Sequence, residues 1–214
     1  MTDFIRARSS EQKAQRMQEV KEVTASLFEK LPYHEITLST IGENLGWSRA
    51  NLYKYVSSKE EVFLSLADDA RHAYYNDLMQ AFSHSEDLDH RQIAQRWATI
   101  YDNNKDWATL GSILVSIIEQ NVSYERLKEF KKNYYDEVFS LTKNIAANIG
   151  VPKDDFTSFF NTIHYHASGI CGVCATNPQV KKIKTELGIP KEEANFKNEM
   201  EKFILMCLDA YCED

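Results

Sequence analysis

The sequence predicts an all-α protein, with an N-terminal three-helix helix-turn-helix head on residues 1–57 and a larger helical body on residues 58–214. Three observations carry this reading. Apolar residues recur at three- and four-residue steps through most of the chain, capping residues and glycines punctuate those stretches, and no strand-like alternation appears. At 214 residues the chain is long enough for both parts to bury a core.

Taken in order, Ser9 and Gln12 form a capping-box pattern, and Met17, Val20, Leu27, Phe28 and Leu31 line one face of the helix that follows. Ile41 and Leu45 sit four apart on a short second helix that Gly46 closes. Trp47 fills the turn and Ser48 caps a third helix from about Arg49, with Leu52 and Val56 inward. Ser57 and Ser58, each three residues before a glutamate, offer two overlapping capping boxes for a fourth helix over 58–84. A fifth is expected over 90–103, a strongly apolar sixth over 107–121, and a seventh over about 123–149 that stops at Gly150-Val-Pro152. Asp154 or Asp155 caps an eighth. Asn177 with Pro178 at the first helical position opens a short ninth, closed by Gly188, and a last helix fills about 191–212.

The segment 37–61 also carries chemistry. Its two short helices leave Arg49, Asn51, Tyr53, Lys54 and Tyr55 mostly on faces other than the apolar one. Arg pairs with guanine and Asn with adenine, while Lys and Tyr hold phosphate, so these residue types suit DNA. An ordinary helical hairpin with an aromatic surface is the alternative on spacing alone. The stretch from Ile36 to Phe63 resembles the signature of the tetracycline-repressor (TetR) family of bacterial transcription regulators: Thr37, Gly46, Leu52, Tyr53, Val56, Ser58, Lys59 and Glu60 fall on that pattern. Where the family commonly has Gly-Thr before Leu-Tyr, this chain has Ala50-Asn51, which should change the bases read.

The resemblance implies a regulator of operator DNA, with Thr37, Ser48, Arg49, Asn51, Tyr53, Lys54, Tyr55 and Lys59 as the DNA-binding set. Within it, Tyr53, Tyr55 and Lys59 are expected on phosphates, and Arg49 and Asn51 on base edges. Arg6 and Arg8 are either a minor-groove arm or a free tail. One short reader makes too few contacts for operator affinity, so a homodimer spanning successive major grooves is expected. The resemblance adds that the helices near 154–176 and 191–212 form its interface, with Phe156, Phe159, Phe160, Phe203, Leu205 and Leu208 as candidate apolar contacts.

The net charge of −7 divides unevenly: residues 1–57 carry eight Lys/Arg against seven Asp/Glu, and the rest seventeen against twenty-five. A near-neutral head can still present a basic face around Arg49, Lys54 and Lys59. No apolar run is long enough for a membrane span and no secretion signal follows Met1, so cytoplasm is the expected setting.

Several body residues allow two readings. Cys171 and Cys174 form a C-x-x-C inside an apolar helix, where small core cysteines and a thiol or metal pair both fit; no metal or cofactor is assigned. His164 and His166 are either pocket residues or hydrogen-bonded histidines of a helix interface. Trp97, Tyr101, Trp107, Tyr134 and His164 form a set with large apolar area and polar tips. They are either core, or the lining of a site for a small apolar or aromatic effector. No catalytic constellation is apparent. A helical enzyme or carrier with an incidental hairpin is the alternative function.

Overall fold

The computed structural model describes residues 10–84, 86–174, 178–189 and 195–212. These form ten α-helices: α1 (Ser10–Phe28), α2 (Leu38–Leu45), α3 (Arg49–Leu52), α4 (Lys59–Phe82), α5 (His90–Asn103), α6 (Lys105–Ile113), α7 (Tyr124–Ile145), α8 (Lys153–Cys174), α9 (Pro178–Glu186) and α10 (Phe196–Tyr211). Among the described residues there is no strand. Ser9, Arg6, Arg8, Asn177, Glu192 and Glu193 lie outside them, as does the side chain of Cys174.

The head is α1 to α3 packed on the start of α4. Val20, Ile41, Leu52 and Val56 are buried there, as their spacing predicts, together with Ile36, Val62 and Phe63. Phe28 and Tyr33 meet the ring of Phe63 edge-on at 5.1 and 5.0 Å. Helix α4 then runs without interruption into the body, packing against α5, α6 and α7. The most extensive body contact is α5 on α10; α6 and α10 both pack on α8.

Local signals set most boundaries. Asp89 caps α5 through Gln92, with both halves of the capping box made. Gly150 ends the α7 region at φ 78°, a conformation that costs glycine nothing. Three expectations shift. The fourth helix is capped by Ser58, which accepts from Glu61 N, while the Glu61 carboxylate reaches back to Ser57 N rather than to its own cap. Helix α8 starts at Lys153, so Asp154 and Asp155 occupy its first turn. The sixth helix keeps α geometry only to Ile113 and continues as a π-turn over Leu114–Ile118.

Candidate DNA-binding face and the buried aromatic network

The reader is built by two caps and a glycine. Thr37 Oγ1 accepts from Thr40 N at 3.1 Å, and Thr40 Oγ1 accepts from Thr37 N at 2.9 Å, so α2 begins with both ends of its box closed. Gly46 ends α2 at φ 66°, ψ 26°, the left-handed geometry that turns the chain toward α3. Ser48 caps α3 by accepting from Asn51 N at 3.2 Å. Tyr53 N and Val56 N then bond back to Arg49 O and Leu52 O, carrying the helical path to residue 56.

On the outer side, Thr37, Ser48, Arg49, Tyr53 and Lys54 are exposed and Asn51 is half-buried. The Arg49 guanidinium lies 5.4 Å from the Tyr53 ring centre and donates to its hydroxyl at 3.0 Å. Lys54 Nζ donates to Asn51 Oδ1 at 3.3 Å. Cationic and polar tips therefore gather at one end of the head.

Two of the expected DNA residues are placed differently. Tyr55 is half-buried against Trp47, ring centres 5.5 Å apart, with Arg16 on Trp47 at 5.4 Å. It faces a cleft shared with Met17 and Arg126. Lys59 is a brace: its ammonium donates to Tyr33 O at 2.9 Å and Ile36 O at 2.8 Å, and sits 3.9 Å from the Tyr33 ring centre. Burial holds the Lys59 pKa down, opposed by the neighbouring Glu60 carboxylate. Tyr33 donates to Glu60 Oε1 at 2.6 Å, and burial with that carboxylate raises its pKa. This clamp joins residues some 26 apart in sequence, with no short-range pattern that could reveal it.

In the body, Trp97, Tyr101 and Trp107 are fully buried. Trp97 Nε1 donates to the Tyr74 hydroxyl at 2.6 Å; the Tyr74 ring packs on that of Tyr101 with centres 4.4 Å apart, and the Tyr101 hydroxyl lies 2.7 Å from His164 Nδ1. His164 stacks on Trp107 with ring centres 4.5 Å apart, and burial lowers its pKa to about 4. Four of the five expected effector residues thus lie together in the buried core: Trp97 is bonded to Tyr74, Tyr101 to His164, and Trp107 is stacked on His164 with its own Nε1 left without a partner. Tyr134 stands apart, half-buried, donating to Asn161 Oδ1 at 2.7 Å. The Cys171 thiol is buried and receives a weak contact from Thr109 Oγ1 at 3.9 Å. His166 stacks on Phe203, ring centres 3.7 Å apart.

The expected interface set divides as well. Phe156, Phe159, Phe160 and Leu208 are buried inside the chain, where the three Phe rings pack on one another and Phe159 and Phe160 also meet Trp97. They are core, not an unpartnered face. Phe203 and Leu205 are half-buried, while Tyr165 on α8 and Met206 on α10 are 67% and 65% exposed.

What sequence reasoning missed is a set of clefts along α4. One of about 230 Å³ lies between Lys21, Asp69, Arg126 and Phe130. A larger one of about 510 Å³ is lined by Asp68, Arg71, His72, Asn133 and Glu137. Arg71 is buried; its Nε donates to Glu137 at 2.9 Å and its Nη2 to Asp68 at 2.6 Å. Among the described residues, Arg71 Nη1, Tyr75 Oη, Trp107 Nε1 and Ser168 Oγ are buried with no hydrogen-bond partner.

A helical head that presents a capped, cationic reader at one end of a long body helix is the architecture of a DNA-binding regulator. The profile described as bacterial regulatory proteins, tetR family, matches residues 22–66, and the one described as tetracyclin repressor-like, C-terminal domain, matches residues 68–209. The chain belongs to the TetR family of DNA-binding transcription regulators. Among solved structures it is similar in fold to a bacterial regulatory protein of the tetR family from Rhodococcus RHA1, with 12% identity, TM-score 0.53, and 92% and 98% of the two chains covered. A transcriptional regulator of the TetR/AcrR family from Thermobifida fusca also matches, at 19% identity and TM-score 0.48 over 93% and 100% of the chains. No curated protein matches the chain. Among the described residues no helix is long and apolar enough to cross a membrane.

Proposed function

We propose that this chain is a homodimeric repressor that acts in the cytoplasm on double-stranded operator DNA and is released by a small-molecule effector. The observation that carries the DNA half is the reader itself. The Thr37 and Ser48 caps and Gly46 hold α2 and α3 so that Arg49, Asn51, Tyr53 and Lys54 share one outer end. In this reading Arg49 and Asn51 meet base edges and Tyr53 and Lys54 meet phosphates, while the amides at the capped helix starts add partial positive charge. Lys59 has two of its three protons on backbone carbonyls. It holds the 33–36 loop against α4, and its remaining proton is available to phosphate. Tyr55 supports the turn through Trp47.

For the dimer, the surface that suits a second copy is the outward stripe of α8 and α10: Tyr165, Gly169, Phe203, Met206 and Ala210. A Cβ at Gly169 would meet nothing within 4 Å, which leaves room for close helix approach. The buried Phe cluster stiffens this stripe from beneath. Effector control follows from population shift: a ligand that prefers one head spacing over the other by a few kcal/mol moves the protein off DNA.

Selection of binding sites from random DNA with the purified protein tests the reading. A two-fold symmetric consensus, found upstream of a gene in the source genome, is the expected result. Recovery of no enriched sequence, with only salt-sensitive non-specific binding, would overturn it.

A further inference from the structure

The strongest unexplained feature of the body is a pair of buried, unpartnered donors one helical turn apart on α4. Arg71 Nη1 and Tyr75 Oη both lack a hydrogen-bond partner, and the two residues are 1% and 3% exposed. Buried donors are nearly always paired, and leaving one unpaired costs as much as losing a bond. Arg71 also lines the 510 Å³ cleft between α4 and α7. The Tyr75 ring meets Trp107 edge-on at 6.4 Å, and Trp107 Nε1 is a further donor without a partner.

The local charge narrows what can sit there. The Nε and Nη2 edges of the guanidinium hold Glu137 and Asp68, so two carboxylates already surround one cation. His72 Nδ1 lies 3.0 Å from Glu137 Oε1, and Asp69 lines the same cleft. A third carboxylate, brought in by a ligand, would add like charge at short range. A neutral acceptor meets the two free Nη1 protons and the Tyr75 hydroxyl without that penalty.

We propose that the α4–α7 cleft is an effector site, and that it takes a small neutral molecule bearing a carbonyl-type acceptor, held by Arg71 and Tyr75. This rests on the reading of the body as an effector domain and departs from the aromatic set around Trp97, where Trp97 Nε1, the Tyr101 hydroxyl and His164 Nδ1 are already paired. Arg71 lines the cleft and Tyr75 stands one turn further along α4, outside its lining; both donor atoms are covered, so a ligand reaches them only as α7 and α4 separate. Since α4 carries the head at its other end, that separation is also the signal.

The test uses the full chain without DNA and three probes of similar size: cyclohexanone, cyclohexanecarboxylate and methylcyclohexane. Titration calorimetry and thermal melting should show saturable binding and a raised Tm for cyclohexanone, and clearly weaker binding for the other two. Tyr75→Phe keeps the ring, removes one unpaired hydroxyl, and should weaken cyclohexanone about three- to tenfold, the worth of one hydrogen bond. Equal or tighter binding of the carboxylate, equal binding of methylcyclohexane, an unchanged Tyr75→Phe affinity, or no binding of any probe would each overturn the proposal. DNA selection on the ligand-free protein reads the regulator function separately, so a failure here leaves that function standing.

Discussion

The Tyr101 hydroxyl lies 2.7 Å from Nδ1 of His164, and this contact sets the protonation of the imidazole. Indole nitrogens only donate, so Trp97 gives its proton to Tyr74. With the Tyr101 hydroxyl donating to Nδ1, the imidazole is an acceptor on that side. His164 is thereby held neutral with its proton on Nε2, on the side facing Gly111.

A neutral buried histidine makes stability depend on pH. The His164 pKa falls from 6.5 to about 4 in the folded chain. The unfolded chain therefore binds a proton first as pH drops, and the stabilisation present above about pH 6.5 is lost progressively toward pH 4. The loss should reach about 3 kcal/mol. Urea unfolding of wild type and His164→Gln at several pH values checks it: the variant should lack most of that dependence.

Gly111 allows α6 and α8 to cross closely. A Cβ there would clash with Ser168 Oγ and come 2.9 Å from the His164 ring. Gly111→Ala should cost about 1–3 kcal/mol. Adding Ser168→Ala should recover part of this, and a double-mutant cycle from thermal melts measures the coupling.

Core and proposed interface can be separated by experiment. Phe156→Ala should lower stability by about 3–5 kcal/mol, because it opens a void among fully buried rings. Met206→Asp, on an exposed position, should leave the helical signal intact and convert dimer to monomer in sedimentation. A stable dimer with Met206→Asp would place the interface elsewhere.

On the head, Lys54→Ala should weaken specific and non-specific DNA alike and reduce the salt slope by about one. Arg49→Ala should instead relax preference at one base in each half-site, at about 1–3 kcal/mol. Both are read from binding curves at several salt concentrations against matched and substituted sites.

Lys59→Met tests the brace. Losing two bonds from a charged donor should cost the head about 2–3 kcal/mol. Faster amide exchange at Ile36 and Ile41 should accompany weaker DNA binding. Unchanged exchange with weaker binding would instead assign Lys59 to phosphate alone.

The head was legible because its instructions are short-range. Gly46, Ser48 and Ser58 act within three or four residues of themselves, so spacing places the helix ends they set, while Thr37 is marked by the family resemblance. The body was legible as helices but not as partners. The apolar stripe of Phe156, Phe159 and Phe160 would look the same whether it met its own α4 and α5 or a second chain. Likewise Ile113, Leu114, Val115, Ile117 and Ile118 crowd so many apolar side chains together that the slip into π geometry after Ile113 leaves no mark in the pattern. The Lys59 clamp and the Arg71–Glu137 pair depend on tertiary contact between distant segments, which no local rule encodes.

Helix α4 has 24 residues and so is about 36 Å long. A tilt of only about 5° at its body end would carry the other end through roughly 3 Å over that length. Major-groove half-sites recur every 34–36 Å or so, and two readers joined through their bodies must match that period closely. A stiff rod works as a lever: Arg71 lies near the middle of α4, so play there is roughly doubled at the head, where it is set against the pitch of the double helix.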